Sequence, residues 1–245
     1  MKRSAIALGV LAGVLMIFAG PAFAEQKVEP RQAEVRLLGE ADVVHLGPES
    51  PLTVADCQVG NLNPAYFAIS GWFESPEEYK LVFDPSPCSN CPGGFQVTTV
   101  HVMLQVASAC TLVMAVDVER ADLSNPQCPF PGPEECASDL YQVVLGQAAL
   151  YDIALAINCG CLCVDGTYLL SVWFESCTSG AGLELVTDEF PSPCTSWNNW
   201  GLGWEDLVTG FGFPGNLIIF ADAVCCASPS AVERTTWGTV KETYR

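Results

Sequence analysis

Histidine is almost missing from this chain: His45 and His101 are the only two. A Ser-His-Asp or Cys-His nucleophile pair has no other imidazole to draw on, and neither residue sits in a catalytic motif. There is no G-x-S-x-G elbow, no H-E-x-x-H and no phosphate-binding loop, so acyl transfer, zinc proteolysis and nucleotide hydrolysis lack their usual residues. Basic residues are scarce too. Ten Lys and Arg stand against 28 Asp and Glu, a formal net charge of −18, which repels nucleic acid and anionic headgroups. Long apolar runs are confined to Ala5–Gly20, and no later segment has the length and purity of a membrane helix. Sustained 3.6-residue periodicity is absent before the last ten residues, which sets aside an α-helical domain.

What the chain does have begins with an export signal. Lys2 and Arg3 precede the apolar run, and Ala22-Phe23-Ala24 is a small-x-small cleavage site, so residues 1–24 read as a signal peptide and Glu25 as the first mature residue. Cleavage removes two basic residues and no acid, leaving a net charge near −20. Such a charge suits solubility outside the cell, or binding of cations. All 13 cysteines lie in the mature part, where an exported chain is expected to form disulfides, with one thiol left over by the odd count. Cys88-Ser89-Asn90-Cys91 has the C-x-x-C spacing, but no histidine follows it for haem attachment and no βαβ pattern surrounds it for redox work. Cys159, Cys161 and Cys163 resemble a thiolate run without the second spaced pair that zinc requires. Structural disulfides are the expectation for all of these.

Residues 25–50 are polar and read as a flexible lead-in or an edge strand; residues 51–227 read as the folded domain; residues 228–245 read as a linker and a short helix or tail. From Leu52 onward short runs of Val, Ile, Leu, Phe and Tyr are divided by Pro, Gly, Asn and Asp, the texture of an all-β domain. Alternation assigns faces. Leu112, Met114, Val116 and Val118 point inward while Thr111, Asp117 and Glu119 point out. Val100, Val102, Leu104 and Val106 point inward with His101 opposite, and Ile153, Leu155 and Ile157 form a third inward set. Pro126–Cys136 carries four prolines and is predicted to be a loop, stapled locally by Cys128 and Cys136.

One passage repeats. Ser70-Gly71-Trp72-Phe73-Glu74-Ser75 returns as Ser171-Val172-Trp173-Phe174-Glu175-Ser176. Leu81-Val82-Phe83-Asp84 followed by Pro85-Ser86-Pro87-Cys88 returns as Leu185-Val186-Thr187-Asp188 and Pro191-Ser192-Pro193-Cys194. A Pro-Gly, a strand and a cysteine then follow in each copy (Pro92-Gly93 to Cys110, Pro214-Gly215 to Cys225). This is the pattern of an internal duplication, two units laid face to face with approximate two-fold symmetry.

The stretch Cys194–Ala221 concentrates the chemistry. Trp197, Trp200 and Trp204, with Asn198, Asn199 and Asp206, are the inventory of a sugar site: indole faces stack on a pyranose while amides and carboxylates take its hydroxyls. The other arrangement folds the indoles inward to cap the sandwich. Trp72 and Trp173 lie on strands as core or sheet-face residues. Asp84, Asp117, Glu119, Asp188 and Asp222 are the oxygen ligands open to a structural calcium, or else solvated carboxylates. Glu74 and Glu175, at equivalent places in the echo, are the carboxylate pair that glycoside hydrolysis would need. In the tail, Trp237, Val240 and Tyr244 share one helical face, which suits either a docked helix or a surface-targeting segment.

Tyr151-Asp152-Ile153, Asp165 to Val172, Trp204-Glu205-Asp206-Leu207 and Pro214 to Ala221 together resemble the strand order of secreted bacterial jelly-roll modules, adhesin-like or carbohydrate-binding-like. The whole chain resembles uncharacterised cysteine-rich secreted bacterial proteins that end in W-x-D-L…G-F-P-G-N-L. The resemblance implies a disulfide-stapled antiparallel β-sandwich of jelly-roll type. The expected function is a secreted, non-catalytic binding or structural protein of the cell surface or extracellular space, with a periplasmic location as the alternative. A carbohydrate-binding module using the Trp197–Asp206 loop and an extracellular glycoside hydrolase are the two other readings. No cofactor is called for beyond a structural calcium. Expected partners are glycans or other surface proteins, with no nucleic acid and no membrane span in the mature chain.

Overall fold

The computed structural model describes residues 30–32, 38–39, 42–45, 55–72, 76–157, 163–175, 177, 182–199, 201 and 203–227. Sixteen strands are described: β1 (Pro30–Gln32), β2 (Leu38–Gly39), β3 (Asp42–His45), β4 (Cys57–Gly60), β5 (Phe67–Ile69), β6 (Glu77–Phe83), β7 (Phe95–Val106), β8 (Cys110–Asp122), β9 (Phe130–Ala137), β10 (Tyr141–Leu145), β11 (Ala149–Ala156), β12 (Tyr168–Phe174), β13 (Leu183–Thr187), β14 (Ser196–Asn199), β15 (Glu205–Asp206) and β16 (Ile219–Cys225). One short helix, α1 (Leu207–Phe211), follows β15. The strands form two sheets. The first runs β1-β5-β13-β7-β11-β2, with β16 joining β7 and β4; the second runs β15-β14-β6-β12-β8-β10-β3, with β9 on β8. All pairings are antiparallel except β11 with β2. The predicted signal peptide, residues 1–24, and the tail 228–245, with its predicted helix, lie outside the described residues.

The two sheets stack because each strand alternates. Val100, Val102, Leu104 and Val106 of β7, Leu112, Met114, Val116 and Val118 of β8, and Ile153 and Leu155 of β11, with Ile157 just beyond it, all meet in one core and are all nearly or fully buried. These are the faces that the alternation predicts, and the domain is an all-β sandwich. Within residues 25–50, the three short strands β1, β2 and β3 pair with β5, β11 and β10 at the ends of the sheets. The Pro126–Cys136 segment departs from the expected loop: its second half is β9, paired along β8 with register shifts at two points. Prolines are tolerated in this ladder because β9 is described with one neighbour and Pro133 falls within a register shift.

The echo in the sequence is an echo in space. In the first sheet Ile69, Ala68 and Phe67 of β5 stand opposite Leu185, Val186 and Thr187 of β13. Their counterparts in the second sheet are Leu170, Leu169 and Tyr168 of β12, opposite Leu81, Val82 and Phe83 of β6. Residue for residue the register is the same, so the two units cross-pair and are related by a rotation that exchanges the sheets. The equivalence ends at the Pro-Ser-Pro-Cys corners. Beyond them the strands after Pro92-Gly93 and Pro214-Gly215 are β7 and β16, which lie in the same sheet and pair with each other.

Disulfides tie distant segments together. Cys57 bonds Cys88, Cys91 bonds Cys225, Cys110 bonds Cys177, Cys128 bonds Cys194 and Cys163 bonds Cys226, and Cys136 is disulfide-bonded as well. The predicted Cys128–Cys136 staple is therefore corrected. Drawing Cys136 into the β9 ladder opposite Val118 parts it from Cys128, whose side chain instead meets the Pro-Ser-Pro-Cys corner. Cys88 and Cys91 likewise bond to partners outside their C-x-x-C. Cys159 and Cys161 lie outside the described residues.

Candidate functional site

The tryptophan-rich stretch settles along the edge of the second sheet. Ser196–Asn199 is β14, which pairs with β6. Alternation sends Trp197 to the outer face of the sheet and Asn198 inward. Trp197 is only 5% exposed. It packs with Leu169 and Ala121 and meets Phe130 edge-on at 5.1 Å. Asn198 donates to the buried Glu77 and to the Glu78 carbonyl, and Glu77 also accepts from the Tyr79 hydroxyl. The side chain of Asn199 accepts from the backbone N–H of Gly201 and Gly203, shaping the turn. Asp206 caps α1 through the backbone and hydroxyl of Thr209 and accepts from Cys194 N–H. Trp200 lies outside the described residues. Trp204 is half-buried on the outer face, with the Lys80 ammonium 4.0 Å from its ring centre. Trp72 is a core residue, in edge contact with Phe211 and Phe213.

Trp204 leads to a polar cluster on which the candidate site is built. Across the outer face of the second sheet, Trp197, Lys80, Ser171 and Asp117 form one cross-strand row through β14, β6, β12 and β8. Glu78 and Trp173 flank it on one side; Val82, Leu169 and Glu119 flank it on the other. Lys80 pairs with Glu119 and, at 3.0 Å, with Glu78. The Ser171 hydroxyl donates to Glu78 at 2.8 Å. One oxygen each of Glu78, Asp117 and Glu119 lie within 4.8 Å of one another. Three carboxylates thus surround one ammonium.

These are not the solvated carboxylates of an ordinary outward face. Asp117 is 9% exposed and Glu119 4%. Burial, then the neighbouring Glu119 charge, pushes the Asp117 pKa up to about 8, so this carboxyl is protonated at neutral pH. Burial also raises Glu119, against the pull of Lys80. Asp117 Oδ1 and Glu119 Oε2 find no hydrogen-bond partner among the described residues. The protonated Asp117 carboxyl donates toward Glu119, and the oxygens that remain are withdrawn from bulk water beside a half-exposed indole, where a hydroxyl-bearing ligand has donors that would meet them.

The remaining calcium candidates are dispersed. Asp188 is enclosed by donors, from Asn61 and Asn63 side chains and from the Phe190 and Asn216 backbone. Asp84 caps its own corner through Ser86. Asp222 sits on the first sheet against His101 and Gln58. Of the proposed hydrolytic pair, Glu175 is exposed just past β12, and Glu74 lies outside the described residues. Glu78, Lys80 and Ser171 went unnoticed at the level of sequence. Their only signal was Glu78 and Lys80 spaced by two on β6 and a lone Ser171 on β12, and the order β6-β12-β8 that joins them to Asp117 and Glu119 is a matter of topology.

Two mainly antiparallel sheets locked by disulfides, with one indole-and-carboxylate outer face, define a disulfide-bonded β-sandwich module. Within that class, the chain belongs to the family described as a domain of unknown function (DUF7451), which it matches over residues 57–223. No curated protein matches the sequence. Among solved structures, the chain is similar to the cysteine protease and lectin-like domains of Cwp84, a surface layer associated protein of Clostridium difficile, at 13% identity and a TM-score of 0.50. The match covers 71% of this chain and 37% of that one, so the likeness is one of fold.

Proposed function

We propose that the protein is an extracellular, non-catalytic binding module that recognises glycans through the outer face of its second sheet. The observation that carries this reading is the half-exposed Trp204 lying over Lys80 beside one buried oxygen each of Asp117 and Glu119 without a hydrogen-bond partner among the described residues. An indole offers a face to the apolar side of a sugar ring, and the carboxylate row takes hydroxyl donors. Ser171, Glu78 and Lys80 fix the row in place. The likeness of fold to a surface layer associated protein with a lectin-like domain supports the same reading, as do disulfides that an exporting cell maintains. The binding surface is thus displaced from the Trp197–Asp206 loop as a whole to Trp204 and the strands beneath it, since Asn198 and Asp206 are engaged within the fold.

A glycan array followed by calorimetry tests it. The native protein is expected to select a subset of sugars. Trp204→Ala should weaken binding at least tenfold, in keeping with about 1.4 kcal/mol or more for a lost stacking platform. An array without selective binding, or equal affinity in Trp204→Ala, would overturn the assignment. Release of reducing ends from a bound polysaccharide would move it to hydrolysis.

A further inference from the structure

The outer face of the first sheet carries a second feature: an open groove of about 390 Å³, within the size range of small-molecule sites. Met103 of β7, with Ile218 and Phe220, lines its apolar floor, and the segment from Leu62 to Ala65 between β4 and β5 forms a wall. His101 closes one end. Its ring stacks on Phe220 with centroids 4.4 Å apart and planes 9° apart. Nδ1 lies 3.0 Å from Asp152 Oδ1 of β11 and Nε2 lies 3.4 Å from Asp222 Oδ2 of β16.

The polar atoms here are largely committed to each other. Gln58 of β4 donates to Asp222. Asn61 and Asn63 donate to Asp188, and their segment brings no charge. Among the described residues, the charged groups facing His101 are Asp152 and Asp222, and the second oxygen of Asp152, whose side chain is 37% exposed, has no partner. Two carboxylates against one imidazole disfavour an anion. A floor this apolar, with its amides already paired, offers a polyol few donors. An apolar stem ending in a positively charged N–H group fits both halves of the groove, and the acidic chain draws cations toward it.

We propose that this groove binds an organic cation, its apolar stem on Met103 and Phe220 and its ammonium or guanidinium head at Asp152. The cation is a free amine or the basic side chain of a peptide. Binding carries a pH signature. The hydrogen bonds and charges of Asp152 and Asp222 outweigh burial and hold the His101 pKa above its ordinary value. Below that raised pKa the imidazolium cancels one carboxylate; above it both carboxylates face the ligand, so affinity rises with pH.

Calorimetry and NMR titration with phenethylamine, uncharged phenethyl alcohol and the peptide Ac-Ala-Arg-Ala-NH2, at pH 6 and pH 8.5, test this. The amine or the arginine peptide should bind at least tenfold tighter than the alcohol, and tighter at pH 8.5; whichever binds identifies the source. Asp152→Asn should weaken binding about tenfold. Leu62→Arg, at a side chain 51% exposed, should do so by charge alone without touching the core. Trp204→Ala, on the opposite sheet, should leave it unchanged, which keeps this result separate from glycan recognition. Saturation by neither cation at millimolar concentration, equal binding of the alcohol, or full affinity in Leu62→Arg would refute it.

Discussion

Replacing Asp117 by Asn should make the protein more stable, by an amount that grows with pH. In an unfolded chain this carboxyl ionises near pH 3.9; in the folded protein it ionises at about 8. Between those values the folded state holds a proton that the unfolded state has released. Linkage then requires stability to fall as pH rises, by up to ~1.4 kcal/mol per pH unit. About four units set a ceiling of ~6 kcal/mol, and the shared proton chemistry with Glu119 and Lys80 brings the expected difference to roughly 2–3 kcal/mol at pH 8. Asn keeps the shape, carries no charge at any pH and keeps a donor beside Glu119. Urea unfolding of both proteins from pH 4 to pH 9, disulfides intact, gives the two curves. They should converge near pH 4 and separate steadily toward pH 8. Parallel curves, or a variant less stable at pH 8, would refute the buried, protonated carboxyl and with it the water-excluded character of the site.

Two further outcomes follow from the fold. Gly215 is buried against the backbone of Asp188, and a Cβ there would stand 1.9 Å from the Asp188 carbonyl oxygen; Gly215→Ala should cost about 2–3 kcal/mol in denaturant unfolding by forcing the two corners apart. Replacing Cys91 and Cys225 together by Ser opens a link spanning 134 residues and should lower stability by about 3–5 kcal/mol, read as a fall in the urea midpoint, with the two-sheet circular dichroism signature retained.

Local pattern sufficed for much of this protein. Which side of β7, β8 and β11 turns inward is dictated by a period of two, a property of a few adjacent residues, and Val100, Met114 and Ile153 obey it. The repeat was legible in part: Leu81-Val82-Phe83 and Leu185-Val186-Thr187 belong to it, whereas Phe67–Ile69 and Tyr168–Leu170, which pair with them in the same register, share no residue and become equivalent only through the fold. Disulfide bonding followed from the cysteine count. What alternation cannot say is what lies on the other side of a strand. Asp117 and Glu119 read as outward, and they are, yet they are buried, and Lys80, from a strand far away in the chain, pairs with Glu119 while lying under Trp204. Cysteine partners were equally hidden: a thiol bonds to whichever other the fold brings near, and for Cys128 that is Cys194, 66 residues on, rather than Cys136. Faces of strands are set by neighbours in sequence; burial of a charge, choice of a sulfur partner and the making of a site are set by neighbours in space, which only the packed sheets supply.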